Sequence, residues 1–177
     1  MKNKIVAAIP VKNEDWIIDK TLSVLDRFCD SILILDDNST DKTEEICKSY
    51  DKVDWYVREK RDEFDGNRAL GGIQKQELFD LIVPKSPDYI LMLDADEIPT
   101  PSILPFLENI DESVTVWGSR MINLWQDENH YRYDSYTTKF GGRVNWDPFL
   151  PNAWVKYPLL KYDKEQKYEY DKNLHRG

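Results

Sequence analysis

IVAAIPVKNEDWIIDKTLSVL, Ile5 to Leu25, passes from a continuous apolar run through a polar loop into a helical repeat. Ile5 to Ile9 has the length and branching of a buried strand. Pro10 breaks the run, and Lys12, Asn13, Glu14 and Asp15 follow closely, so it reads as a strand and not as the apolar centre of a secretion signal. In DWIIDKTLSVLDRF, Ile18, Leu22 and Leu25 share one helical face. The same alternation returns along the chain. SILIL, Ser31 to Leu35, is a second strand, and DDNSTDKTEEICKSY after it carries the Ser, Thr and Asp residues that open helices. DWYVR, Asp54 to Arg58, is a weaker third strand. NRALGGIQKQELFDLIV reads as a helix in which Gly71 and Gly72 each cost about 1 kcal/mol relative to Ala, so either they permit a close approach or the helix breaks there. YILML, Tyr89 to Leu93, is the fourth strand. Short apolar strands alternating with amphipathic helices predict an α/β fold, with a mostly parallel sheet covered on both faces.

The 177 residues suffice for one domain with a substantial core. Hydrophobic residues at 41% and charged residues at 32% fit a soluble globular chain and exclude a wholly disordered one. A net charge of -9 argues against a nucleic-acid binder that relies on broad phosphate neutralisation. It also poses a puzzle for any anionic ligand. Cys29 and Cys47 have no metal-site or redox spacing and are expected as buried thiols in a reducing compartment. No segment approaches the roughly 18 apolar residues that span a bilayer, so the expected location is the cytoplasm, at most against the membrane face.

In parallel sheets of this kind, ligands bind outside the carboxyl ends of the strands. The polar clusters fall there: Lys12 to Asp15 after the first strand, Asp36 to Asp41 after the second, Asp94 to Glu97 after the fourth. Ser39, Thr40 and Asp41 read first as helix caps, above all Ser39 and Asp41, whereas Asp36 and Asp37 follow their strand directly, so capping explains them less well. In YILMLDADEIPTP the acids sit at the mouth of a buried strand, and no Lys or Arg occurs from Ser86 to Ser119. Two aspartates on alternate residues without a basic neighbour suit a hard divalent cation, which would also screen an anionic substrate.

IPVKNE, LDDNSTDKT and YILMLDADE, in this order and spacing, resemble the family-two glycosyltransferases of the GT-A fold, and LDADE is similar to the lipopolysaccharide-core type. The resemblance runs from Lys4 to about Pro105. It implies an inverting enzyme with a nucleotide-sugar donor, usually a UDP-sugar, Mn2+ or Mg2+, and a hydroxyl of a glycan or glycolipid as acceptor. It would put Pro10, Val11, Asn13 and Glu14 against the nucleoside, Asp37 on the uracil ring, and Arg68 near the nucleotide. Asp94 and Ala95 would lie by the ribose and donor, and Asp96 would ligate the metal. A diphosphate carries growing negative charge as it leaves, and a bound cation offsets that charge without a proton. The charge puzzle resolves if the cation bridges acidic protein and acidic donor.

The second half is rich in aromatics, among them Trp125, Tyr131, Tyr133, Tyr136, Trp146 and Trp154, which suit either an acceptor-sugar platform or an ordinary core. The resemblance places a general base here; Asp134 in HYRYD and then Asp147 in NWDP are the candidates, ahead of Asp127. It also implies a late histidine at the metal, for which His175 in LHRG stands ready, while His130 reads as a packing or surface residue. The expected organisation is a single GT-A domain over 1–177, with a donor half at 1–105 and an acceptor half at 106–177, and the chain reads as a module of a longer protein. Two other readings compete: a nucleotide-sugar-binding module without turnover, and a haloacid-dehalogenase-like phosphatase, whose nucleophile loop is also an apolar strand running into D-x-D.

Overall fold

The computed structural model describes residues 3–59, 67–114, 116–121, 124–125, 127–131 and 154–163. Four strands follow the expected alternation: β1 (Ile5–Val11), β2 (Ser31–Asp36), β3 (Val53–Val57) and β4 (Tyr89–Met92). Between them run α1 (Ile18–Leu25), α2 (Thr43–Lys48) and α3 (Asn67–Ile82). The backbone of α3 is continuous through Gly71 and Gly72, so the helix does not break there. The chain continues through α4 (Ile103–Glu108), β5 (Val116–Met121), β6 (Leu124–Trp125), β7 (Asp127–Tyr131) and β8 (Trp154–Lys161).

The main sheet has six strands in the order β3-β2-β1-β4-β8-β5. β1 pairs in parallel with both β2 and β4, and β2 in parallel with β3. β8 joins β4 antiparallel, and β5 joins β8 antiparallel. The expectation of a mostly parallel sheet therefore holds, and the second half adds two antiparallel strands that the apolar runs of the first half did not announce. β6 and β7 form a separate two-stranded ribbon.

Alternation along β1 explains the two-sided burial. Ile5, Ala7, Ile9 and Val11 face one layer with Ile18, Leu22 and Leu25 of α1 and Cys47 of α2. Val6 and Ala8 face the other, with Leu33, Leu35 and Leu78, Phe79 and Ile82 of α3. A strand buried on both faces has no polar alternation to show, which is why β1, β2 and β4 read as unbroken apolar runs. Tyr89 and Phe106 each meet the Trp117 ring edge-on, tying β4 and α4 to β5. Cys29 and Cys47 are unpaired and buried, and burial pushes each thiol up to about 12. Among the described residues, no helix is long and apolar enough to cross a membrane.

At the β3 edge, the Ser31 hydroxyl and Lys85 Nζ each donate to Asp54 Oδ2 at 2.6 Å. Burial would raise the Asp54 carboxyl, but the Lys85 and Ser31 bonds outweigh it and hold the group below its ordinary value. A carboxyl depressed in the folded state contributes stability above its unfolded pKa and loses it as pH falls through the folded one. Asp54→Asn is therefore expected to cost under about 1 kcal/mol at neutral pH, because the pair is partly exposed. Urea melts of the two proteins should converge in acid; a gap that persists there would contradict the assignment.

Candidate active site

The strand order reverses between β1 and β4, since β2 and β3 lie on one side of β1 and β4 on the other. A crevice at the carboxyl ends of the strands is expected at such a switch point. Its walls are the loops after β1, β2 and β4, the three acidic clusters of the sequence.

The first two loops are clasped together by side chains. The Asn13 N–H donates to Ser39 Oγ at 2.9 Å, and the Thr40 N–H donates to Asn13 Oδ1 at 2.8 Å. The Glu14 N–H reaches Thr43 Oγ1 at 2.8 Å, and the Asp15 N–H reaches Asp41 Oδ2 at 3.1 Å. Asn13 and Asn38 adopt left-handed φ values of 56° and 60°, which Asn tolerates better than most residues. Asp36 is buried within β2; both its oxygens accept the Ser39 N–H at 3.0 Å, and one also accepts the Ser39 hydroxyl. The structure thus corrects the capping reading of Ser39, whose hydroxyl links Asp36 to Asn13. Asp41 does serve the start of α2, where its Oδ1 accepts the Thr43 N–H at 3.0 Å.

Asp37 emerges beside this clasp. Its N–H donates to the Val11 carbonyl at 2.9 Å, and its carboxylate is shared: Arg58 Nη1 meets Oδ1 at 3.1 Å and Lys12 Nζ meets Oδ2 at 3.2 Å. Arg58 also forks onto Glu77 of α3, with Nε to Oε2 at 2.6 Å and Nη2 to Oε1 at 3.3 Å. Hydrogen bonding to Glu77 raises the guanidinium pKa against the effect of burial, and Asp37 adds to the rise.

The third loop closes on itself. The Asp94 N–H donates to Glu97 Oε2 at 2.8 Å, and the Glu97 N–H donates to the Asp94 carbonyl at 3.0 Å. Glu97 is thus an internal brace of the turn. The Thr21 hydroxyl of α1 donates to the Ala95 carbonyl at 2.6 Å, anchoring the loop from below while Ala95 stays buried. Asp96 is exposed and has no hydrogen bond or ion pair among the described residues. Burial raises the Glu14 carboxyl pKa, and Asp96, Asp41 and Asp94 push it further, against a lowering bond from the Trp16 indole. Glu14 thus feels the charges of acids from the second and third loops at this edge.

A cation fits this neighbourhood on the chemistry of its donors, which are carboxylates with Asp96 uncommitted. No three of the described His, Cys, Asp and Glu residues form a group that would cage an ion alone. One or two carboxylates completed by substrate phosphates is the usual arrangement for Mg2+.

Of the residues anticipated from sequence, Pro10, Val11, Asn13, Glu14, Asp37, Asp94, Ala95 and Asp96 come together at this edge. The Val11 side chain packs in the core, and the Asn13 side-chain oxygen Oδ1 is committed to the clasp. Arg68 lies in the first turn of α3, and Asp127 and His130 in β7, with their backbones alone described. Asp134, Asp147 and His175 lie outside the described residues. Sequence reasoning missed Arg58, Thr21, Thr43 and the exposed Trp16, whose Nε1–H donates to Glu14 Oε2 at 3.1 Å. A lone arginine at a strand end gives no signal of its two partners, which are 21 and 19 residues away.

Residues 6–75 match the model of Glycosyl transferase family 2. Among solved structures, S. aureus TarS 1-349 is 14% identical with a TM-score of 0.52, covering 96% of this chain and 53% of that one. Glucosyl-3-phosphoglycerate synthase of M. tuberculosis is 21% identical with a TM-score of 0.45, over 64% of this chain and 44% of that one. Another structure of that synthase, at 21% identity and a TM-score of 0.46 over 64% and 42% of the two chains, is a complex with Mn2+, uridine-diphosphate and glucosyl-3-phosphoglycerate. This chain spans about half the length of the solved structures it matches. Among the curated proteins none matches it. The family-two match runs from β1 into α3, and the mixed six-stranded sheet shares its fold with the TarS structure.

Proposed function

We propose that this chain is a single GT-A domain, with a donor half at 1–105 and an acceptor half at 106–177, of a metal-dependent, inverting glycosyltransferase that moves a sugar from a UDP-sugar to a hydroxyl of a glycan or glycolipid acceptor. The observation that carries the reading is the meeting of three acidic loops at the β1/β4 switch point, within and beside the segment that matches the family. Pro10, Val11, Asn13 and Glu14 would form one wall for the nucleoside, and Asp37 would accept a hydrogen bond from the base. Asp94 and Ala95 would flank the ribose and donor, with Arg68 near the nucleotide. Asp96 and His175 would hold Mn2+ or Mg2+, which supplies, when bound, positive charge against a departing diphosphate. Asp134, or else Asp147, would take the proton from the acceptor hydroxyl.

The dehalogenase-like alternative fits less well, because the D-x-D loop follows β4 and the preceding segment matches a transferase family. The experiment is a thermal-shift titration with UDP, with and without Mn2+. A ligand at 100 times its dissociation constant stabilises by about 2.7 kcal/mol, which for a domain of this size is a rise of roughly 5 to 10 °C. The rise should require both components. A melt left unmoved by UDP and Mn2+ together would refute the UDP and metal assignments. Release of UDP from UDP-sugars in the presence of glycan acceptors then separates an enzyme from a binding module.

A further inference from the structure

The two oxygens of Asp37 have different company. Oδ1 is held by Arg58, whose side chain is 5% exposed and which forks onto Glu77 on its other edge. Oδ2 is held by Lys12, whose side chain is 61% exposed. Withdrawing Arg58 would leave two carboxylates without their shared cation in a partly buried place. Withdrawing Lys12 costs little, because an exposed ammonium regains water. Of the two contacts, the one to Oδ2 is therefore the one a ligand can replace.

We propose that Arg58 is a positioning residue of the donor site: it fixes Oδ1 of Asp37 in a fork shared with Glu77 and leaves Oδ2 as the acceptor that a ligand reaches by displacing Lys12. This rests on the donor reading above and adds the origin of base selectivity. A carboxylate offers acceptor oxygens, so a base that bonds Oδ2 must bring an N–H to it. Uracil carries hydrogen on N3; cytosine presents a lone pair there and meets the carboxylate with repulsion. A site built for a donor rejects the analogue that lacks it more strongly than a site that merely fits its shape. Asp37 alone does not secure this, because a carboxylate free to rotate need not aim an oxygen at the edge of the base. The backbone supports the arrangement from both sides, since the Arg58 N–H donates to the Asp36 carbonyl at 2.9 Å and Asn38 Nδ2 donates to the Arg58 carbonyl at 3.2 Å.

The test is calorimetric titration of the full chain, with Mn2+ present, by UDP and by CDP, for the wild type, Arg58→Lys and Glu77→Gln. Lysine keeps the charge but cannot fork onto two carboxylates at once. The wild type is expected to prefer UDP, and Arg58→Lys to narrow the UDP:CDP preference on the order of tenfold while circular dichroism stays native. Glu77→Gln, which loosens the far side of the fork, should narrow it in the same direction by less. A purely structural role for Arg58 would lower both affinities together and leave their ratio alone, and an unchanged ratio in folded Arg58→Lys overturns the inference. Should that variant fail to fold, Glu77→Gln decides: an unchanged ratio overturns the inference and a narrowed one supports it. A wild type that binds UDP with a ratio moved by neither variant removes only this inference. A wild type that binds neither nucleotide removes the donor reading and the inference with it.

Discussion

Asp96→Ala should erase the Mn2+-dependent part of UDP binding while leaving the unliganded protein almost as stable as before. The two halves of that expectation come from one observation, the exposure of Asp96 and its lack of a hydrogen-bond or ion-pair partner among the described residues. Surface changes away from any packed or bonded feature usually stay within about 0.5 kcal/mol, and the variant also relieves Glu14 of one of the charges that push its pKa up. The loss of a carboxylate from a set completed by substrate phosphates would instead be felt fully by the complex. A stabilisation of about 2.7 kcal/mol, equivalent to a hundredfold excess over the dissociation constant, should disappear from the thermal shift measured with UDP and Mn2+ at wild-type saturating concentrations. A wild-type shift in the variant would sink the metal assignment. A collapse of the unliganded melt would instead show that Asp96 has a structural partner.

The second large effect is expected at Asp36, the neighbour that sequence alone makes hard to tell from Asp37. Asp36 is buried and accepts both donors of Ser39, and Ser39 in turn accepts the Asn13 N–H. Hydrogen bonds to a charged group contribute about 1.5–3 kcal/mol each, and their loss strands the donors in a place with little water. Asp36→Ala is expected to cost about 3 kcal/mol in a urea melt, lowering the melting temperature by roughly 6 to 12 °C. UDP binding should weaken too, because the clasp between the first two loops loses its footing. Asp36→Asn keeps an acceptor for the Ser39 N–H and should fall between the two. A melt for Asp36→Ala within about 2 °C of wild type would show that the chain from Asp36 through Ser39 to Asn13 carries little of the fold.

The contrast between these two aspartates shows where sequence reading reaches its limit. The strands β1, β2 and β4 were legible because burial on both faces forces unbroken apolar runs, and α1 was legible because Ile18, Leu22 and Leu25 fall on one face. The edge on which the acids gather followed from those elements and from the topology of parallel sheets. The division of labour among the acids did not follow, because hydrogen bonds between loops 25 or more residues apart leave no local pattern. Ser39 read as a cap for that reason: next to a helix, a serine looks the same whether its hydroxyl serves the helix or a neighbouring loop. Glu97 and Arg58 became intelligible only once their partners, the Asp94 N–H and the pair Asp37 and Glu77, were known. β5 and β8 escaped because antiparallel strands from the second half are recognised by what they pair with, here β4 and each other.

The clasp has a dynamic consequence. Loop amides ordinarily face water and exchange their hydrogens quickly, whereas those of Asn13, Glu14, Asp15, Ser39, Thr40 and Thr43 all donate to side chains. Most of these bonds cross from one loop to the other, so neither loop opens without releasing its partner, and the six amides should exchange as a single cooperative unit. The wall proposed for the nucleoside is then preassembled before any ligand arrives, and the ordering of these loops belongs to folding and not to binding.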